Sequence, residues 1–223
     1  MRTLLLRLAA PLQAWGDESK YDIRGTRNEP TKSGVIGMLA AAMGYSRDSK
    51  EIAIMTEKLR MGIRVDQPGT VIRDFHTAHN AKSSWVTDRY YLCDAVFLVA
   101  LESEDEKYID LISESLSSPV FPLYLGRRSC PPTQPLKIGI KDCDLENALL
   151  NEPWLASDWY KKKSSCIRAR IITESSKGKK VWYTQMDQPV SFNPVQRKYS
   201  LRGLDREQYV LLGKSEHDPM TVL

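Results

Sequence analysis

Three stretches of this chain concentrate residue types that bind anions. Arg24-Gly25-Thr26-Arg27 precedes Pro30-Thr31-Lys32-Ser33-Gly34-Val35-Ile36-Gly37, where a helix is expected to begin. Free amides at a helix start favour an anion, and Gly34, Gly37 and Ala41 would form a bare stripe that lets another backbone come close. Arg24, Arg27, Lys32 and Ser33 are donors suited to a phosphate there, although a tightly packed helix with an ordinary cap would use the same glycines. The second stretch, Leu125-Gly126-Arg127-Arg128-Ser129-Cys130-Pro131-Pro132, carries two guanidinium groups on a short connector stopped by prolines. That arrangement suits bidentate contact with phosphates or bases at low entropic cost. The third runs from Arg73-Asp74-Phe75-His76-Thr77-Ala78-His79 through Lys82 and Trp85 to Arg89, mixing cations with rings as phosphate contact and base stacking require.

Other chemistries find less support. His76-x-x-His79 has only Asp74 close by and no third strong ligand set by spacing, so neither a metal nor another cofactor is expected. His76 could serve as general acid or base in metal-independent RNA cleavage, with Lys82 steadying the phosphorane. Phosphate-loop and nucleophile-elbow motifs are absent, and no pair of catalytic carboxylates stands out. Cys93, Cys130, Cys143 and Cys166 form no C-x-x-C pair and are expected to be reduced and mostly buried.

Charge is unevenly placed. Residues 161–204 hold eleven Lys and Arg against Glu174 and Asp187, whereas the whole chain carries a formal charge of only +4, so the remainder is net acidic. A basic segment on a mildly acidic body suggests a polyanion on one face, although the run Lys161-Lys162-Lys163 alone reads equally as a solvated surface. Arg7 interrupts the apolar N-terminus before a signal sequence could form, and no run is long enough to span a bilayer, so a soluble cytoplasmic protein is expected.

The elements that must carry these stretches follow from periodicity. Leu4, Leu6 and Leu8 alternate with Thr3, Leu5 and Arg7 as a first strand. Val35, Met38, Leu39, Ala42 and Met43 line one face of a helix that ends at Gly44. A second helix is expected from Asp48, with Glu51 closing a capping box, and Met61 to Val65 alternates as a second strand. Tyr91 to Leu101 reads as one buried strand, Glu104 to Leu116 as a helix, and either Val120 to Leu125 or Leu136 to Ile140 as a fourth strand. This β-α-β-β-α-β order predicts an α+β, ferredoxin-like domain over 1–135 with one sheet face covered by helices and the other free for a ligand. Residues 67–90 form an insertion, and 136–223 a β-rich basic extension packed on the domain. Within it, Cys166 to Ile172 and Lys180 to Thr184 are expected to pair as a hairpin through Ser175-Ser176-Lys177-Gly178-Lys179, with Arg168 and Arg170 on one side.

Five blocks together resemble the type I-E branch of the CRISPR-associated "Cas five" family, within the RAMP superfamily. They are residues 6–16, residues 24–44, Arg73-Asp74-Phe75-His76-Thr77, Arg89-Tyr90-Tyr91-Leu92-Cys93-Asp94-Ala95 and Tyr124-Leu125-Gly126-Arg127-Arg128-Ser129-Cys130-Pro131. The resemblance implies a modified ferredoxin fold whose insertion is a β-hairpin thumb. It further implies a non-catalytic subunit of a Cascade ribonucleoprotein that holds the 5′ handle of the crRNA. Such a subunit caps a filament of CasC-type backbone subunits, touches a CasA-type large subunit, and supports antiviral defence against foreign DNA that it meets only through the complex. Carried over block by block, Arg24, Arg27, Lys32 and Ser33 would meet handle phosphates and Arg89 would contact the handle. Arg127 and Arg128 would lie near the same RNA, with Arg73 and His76 on the thumb. The alternative expectation is a metal-independent endoribonuclease that processes CRISPR precursor RNA through His76.

Overall fold

The computed structural model describes residues 1–16, 22–80, 83–176, 178–193 and 195–213; Lys82 and Lys177 lie outside them. The elements run β1 (Arg2–Ala9), β2 (Leu12–Gln13), β3 (Ile23–Arg24), α1 (Lys32–Ala42), α2 (Glu51–Lys58), β4 (Arg60–Gln67), β5 (Thr70–His79), β6 (Ser84–Cys93) and β7 (Val96–Ser103). They continue with α3 (Glu106–Ser117), β8 (Lys137–Lys141), α4 (Leu145–Asn151), α5 (Asp158–Lys163), β9 (Cys166–Thr173), β10 (Tyr183–Ser191), β11 (Lys198–Leu204) and β12 (Gln208–Gly213). The main sheet is antiparallel, in the order β12-β9-β4-β7-β1-β8. Among the described residues, no helix is long and apolar enough to cross a membrane.

Strand β7 is buried at all eight positions, so both faces of the sheet need cover. On one face Leu4, Leu6 and Leu8 join Phe97, Val99 and Leu101 under Val35 and Leu39 of α1 and Ile109 and Ile112 of α3. On the other, Leu5, Leu98, Ala100 and Ile171 pack beneath Leu145, Ala148 and Leu149 of α4. The expected free face is therefore filled. The period-2 pattern of β4 hid this, because its outward polar residues are buried ones. Arg64, fully buried, grips both carboxylate oxygens of Asp66 at 2.6 and 2.9 Å. Its remaining donors reach the carbonyls of Leu149, Glu152 and Pro153, which tie down the end of α4 and the chain beyond it. Glu102 of β7 accepts from the Leu145 amide at 2.8 Å and so anchors the start of α4 as well.

Other expectations need correction. The apolar run Tyr91 to Leu101 breaks at Asp94, whose φ of 56° turns the chain so that β6 and β7 enter different sheets. The fourth strand is Lys137–Lys141, while Val120 and Phe121 instead donate their amides to Ala42 and Ala41 at the end of α1. Helix α2 begins at Glu51 without a side-chain cap, because Asp48 accepts from Asn193 and Glu51 from the Ser49 hydroxyl. All four cysteines are free, but only Cys130 is buried.

The largest departure lies after Cys166. Strand β9 pairs with β4 and β12, extending the main sheet, and Tyr183–Ser191 pairs with Lys198–Leu204 instead. Alternation identified the strands but held no information about which free edge each would find. The basic side expected of Arg168 and Arg170 is also modified, since Arg170 is engaged by Glu29 and Glu207.

Removing one partner of a buried ion pair strands the other charge. Arg64→Met is therefore expected to lower unfolding stability in urea by roughly 3–5 kcal/mol, with Arg64→Met/Asp66→Leu recovering part of the loss.

Candidate nucleic-acid interface

The anion-seeking helix start resolves into something internal. Thr31 caps α1 by accepting from the Gly34 amide at 3.2 Å, and Asp187 of β10 accepts from the Lys32 amide at 2.8 Å. Helix dipole and free amides thus already hold an anion, the carboxylate of Asp187. Arg202 clamps that carboxylate through two bonds of 2.8 Å. Lys32 is 1% exposed, and its Nζ donates to both oxygens of Glu174 at 2.8 Å, so its ammonium does not reach the surface. Ser33 is half-buried, its hydroxyl 3.3 Å from that of Thr31. The glycine stripe is a packing device: a Cβ on Gly34 would lie 2.9 Å from the Trp15 ring, and one on Gly37 would meet Phe192.

The arginines of the three stretches do converge. Strand β6 pairs along its length with β5 and, on its other side, with β2 and β3. Arg24 of β3 lies directly beside Arg89 of β6, on the same side of the pleat as Tyr91 and Asp74. Like charges in such a position repel, which an anion bound between them would offset. Arg27 joins by its backbone bridge to Trp15.

The connector between α3 and β8 completes the group. Gly126 has φ 93°, and a Cβ there would fall 1.6 Å from the Ala14 carbonyl oxygen, so only glycine can occupy this contact. The turn closes through Leu125 N to Cys130 O at 2.8 Å and is pinned by Ala14 N to Leu125 O at 3.1 Å. From it Arg127 donates to the carbonyls of Tyr90, Arg24 and Gly25 at 3.0, 2.9 and 3.1 Å, with its guanidinium 4.6 Å above the Tyr91 ring. Arg128 beside it is exposed.

These acceptors are neutral, so the charges stay uncompensated. Among the described residues, none of Arg24, Arg27, Arg89, Arg127 and Arg128 has a carboxylate within 4.0 Å. The Nε atoms of Arg27 and Arg89 are moreover buried without a hydrogen-bond partner. Tyr91 registers the field. Burial acts to raise its phenol, but the Ser129 hydroxyl 3.4 Å away and the nearby guanidinium groups of Arg127 and Arg89 prevail and lower it below the ordinary tyrosine value.

Arg73 and His76 sit farther out on the hairpin. Arg73 pairs with Asp88 through two bonds of 2.9 Å, and His76 Nε2 lies 2.8 Å from Asp74. The residues missed in the sequence are Tyr91, which is buried as expected but also lies beneath the Arg127 guanidinium, and Asp88 and Asp74, which occupy two of the expected site residues. Exposed Phe75, Trp85 and Val86 give the hairpin an apolar surface uncommon on a free arm. No three His, Cys, Asp or Glu side chains among the described residues gather as a metal site.

The comparisons with known proteins agree over most of the chain. A family model described as CRISPR-associated protein (Cas_Cas5) matches residues 3–204. The Cascade subunit CasD of Escherichia coli (strain K12) is 33% identical over 94% of this chain and 96% of its own length. A chain of a solved CRISPR RNA-guided surveillance complex superposes with a TM-score of 0.77 at 31% identity, covering 94% of this chain and 90% of that one. A crystal structure of a Cas protein gives 0.71 at 33% identity, covering 96% and 100%.

A phenol whose folded value is lowered adds stability above its unfolded value of about 10, and that stability is lost as pH falls through the folded value. Absorbance titration should show one phenol ionising early in the wild-type chain. The early step should vanish in Tyr91→Phe and move to higher pH in Arg127→Ala.

Proposed function

The chain belongs to the CRISPR-associated Cas5 family, and on that premise we propose that it is a non-catalytic subunit of a Cascade surveillance complex that grips the 5′ handle of the crRNA. The carrying observation is the convergence of Arg24, Arg27, Arg89, Arg127 and Arg128 without a carboxylate partner among the described residues. Phosphates are the natural complement to such a cluster, because guanidinium forks bind them bidentately. Within this reading Arg127 first organises the site, holding β3, β6 and its own turn together, and Arg24, Arg89 and Arg128 present charge to the RNA. Arg27 supplies the buried donor that a phosphate oxygen would satisfy.

Lys32 supports the helix behind the site instead of meeting the handle, and Ser33 remains only a partial candidate. Strand order β8-β1-β7-β4 with α1 and α3 on one face favours a ferredoxin-like core that runs past the expected boundary at 135 to the end of β8, and α4 then covers the second face. The β5–β6 hairpin would be the thumb, and its exposed Phe75, Trp85 and Val86 suit a wedge against a guide strand or a CasC-type subunit. Filament capping, contact with a CasA-type subunit and action in the cytoplasm belong to the same proposal.

One observation favours a second reading. His76 paired with Asp74 on the face that also carries Arg89 has the parts of an acid–base site for RNA cleavage. Repeat RNA incubated with the pure chain in chelator separates the two: site-specific cuts abolished by His76→Ala would establish the enzyme and displace the binding role.

For the favoured reading, handle RNA is titrated against assembled complexes over a range of salt. Arg89→Ala should weaken binding about tenfold and reduce the magnitude of the salt slope by about one, as the loss of one phosphate contact requires. Unchanged affinity and assembly in both Arg89→Ala and Arg127→Ala would remove this site assignment.

A further inference from the structure

The basic C-terminal region has a cleft of its own. Strands β9 and β12 at the edge of the main sheet, with the chain entering β10, enclose an open volume of about 710 Å³ lined by Arg168, Trp182, Arg206 and Tyr209 among others. Its rings are unusually available, Trp182 being 56% and Tyr209 47% exposed. Each ring is already attended by cations: the Arg168 guanidinium lies 4.4 Å from the Tyr209 ring centre, and Lys180 and Arg206 lie 4.9 and 5.7 Å from that of Trp182.

The charge balance of the cleft is positive. Among the described residues, Arg168, Lys180 and Arg206 have no carboxylate within 4.0 Å. The carboxylate in the lining, Glu207, accepts from Arg170 at 3.1 Å and from the Tyr209 hydroxyl at 3.2 Å, so its charge is met within the wall. Arg170 also reaches Glu29, which joins this wall to the loop that carries Arg27. The cleft thus uses residues different from those of the arginine site.

We propose that this cleft is a second nucleic-acid site that takes a single strand, stacking bases on Trp182 and Tyr209 while Arg168, Lys180 and Arg206 meet the phosphates. Two open rings flanked by unpaired cations are the elements of sequence-tolerant single-strand binding. A duplex hides its base faces from such rings. An acidic peptide would use the cations but leave the rings idle. The cations over the rings hold their orientation in the free chain and are placed to move onto phosphates as bases arrive.

The test irradiates the full chain with an oligo(U) of about ten nucleotides, a length typical of such sites, that carries 5-bromouracil and lacks any handle sequence. Crosslinked peptides are mapped, and affinity is followed by fluorescence anisotropy. Crosslinks are expected at Trp182 or Tyr209 and should persist in Arg89→Ala. Trp182→Ala/Tyr209→Ala should weaken binding about thirtyfold or more, the lower end of what stacking of two bases supplies, and Trp182→Phe should retain most of the affinity. Unaltered affinity in the double variant, or crosslinks confined to residues 67–93, would overturn the proposal. So would displacement by an oligo-aspartate of equal charge, which would assign the cleft to an acidic protein. Wild-type-like circular dichroism of Trp182→Ala/Tyr209→Ala guards against misreading a folding defect.

Discussion

A strand buried on both faces constrains everything around it, and β7 is such a strand at all eight positions. Its carbonyls and amides are satisfied by β1 and β4, and its side chains demand a helical layer above and below. Helices α1 and α3 supply one layer, and α4 the other. Among the described residues, the helical layers fill both faces at the centre of the sheet. What stays exposed projects beyond that centre, namely the β5–β6 hairpin, the turn at Gly126 and the far edge at β12.

The charged residues divide according to the same constraint. Those inside the layers are paired and structural: Arg64 with Asp66, Lys32 with Glu174, Arg202 with Asp187. Burying such groups costs heavily unless each donor finds an acceptor, and here each carboxylate also serves a backbone amide or a helix start. Those at the hairpin base are the reverse. Arg127 spends its donors on three carbonyls, which fixes geometry while leaving its charge intact. Arg24 and Arg89 are forced side by side by strand register. The proposed handle phosphates would relieve that repulsion.

Much of this was legible in the residues. Alternation in Leu4–Leu8 and helical spacing from Val35 to Met43 identified β1 and α1, because burial of one face writes a period into the chain. The end of α1 was legible too: Gly44, with φ 77°, lets Tyr45 and Gly44 return their amides to Ala40 and Ala41. Arg24, Arg27, Arg127 and Arg128 stood out as anion-binding candidates by their type and their glycine- or proline-marked settings, and Arg89 by its place at the end of a stretch that mixes cations with rings. Lys32 was misjudged for a physical reason: a lysine after a helix cap looks the same whether it meets phosphate or a glutamate some 140 residues away.

Local elements, glycine turns and the kinds of chemistry available could thus be read from the residues alone, since propensity, periodicity and side-chain type act over a few residues. Which strands pair, which face of the sheet is covered and which cations keep a free charge were decided only in three dimensions. The partner of β9, the cover that α4 lays over Arg64, and the meeting of Arg24 with Arg89 all depend on contacts between segments tens of residues apart. Local pattern does not encode those distances. Packing of the whole chain does, because a buried charge must find its partner and a strand edge its neighbour wherever in the sequence they lie.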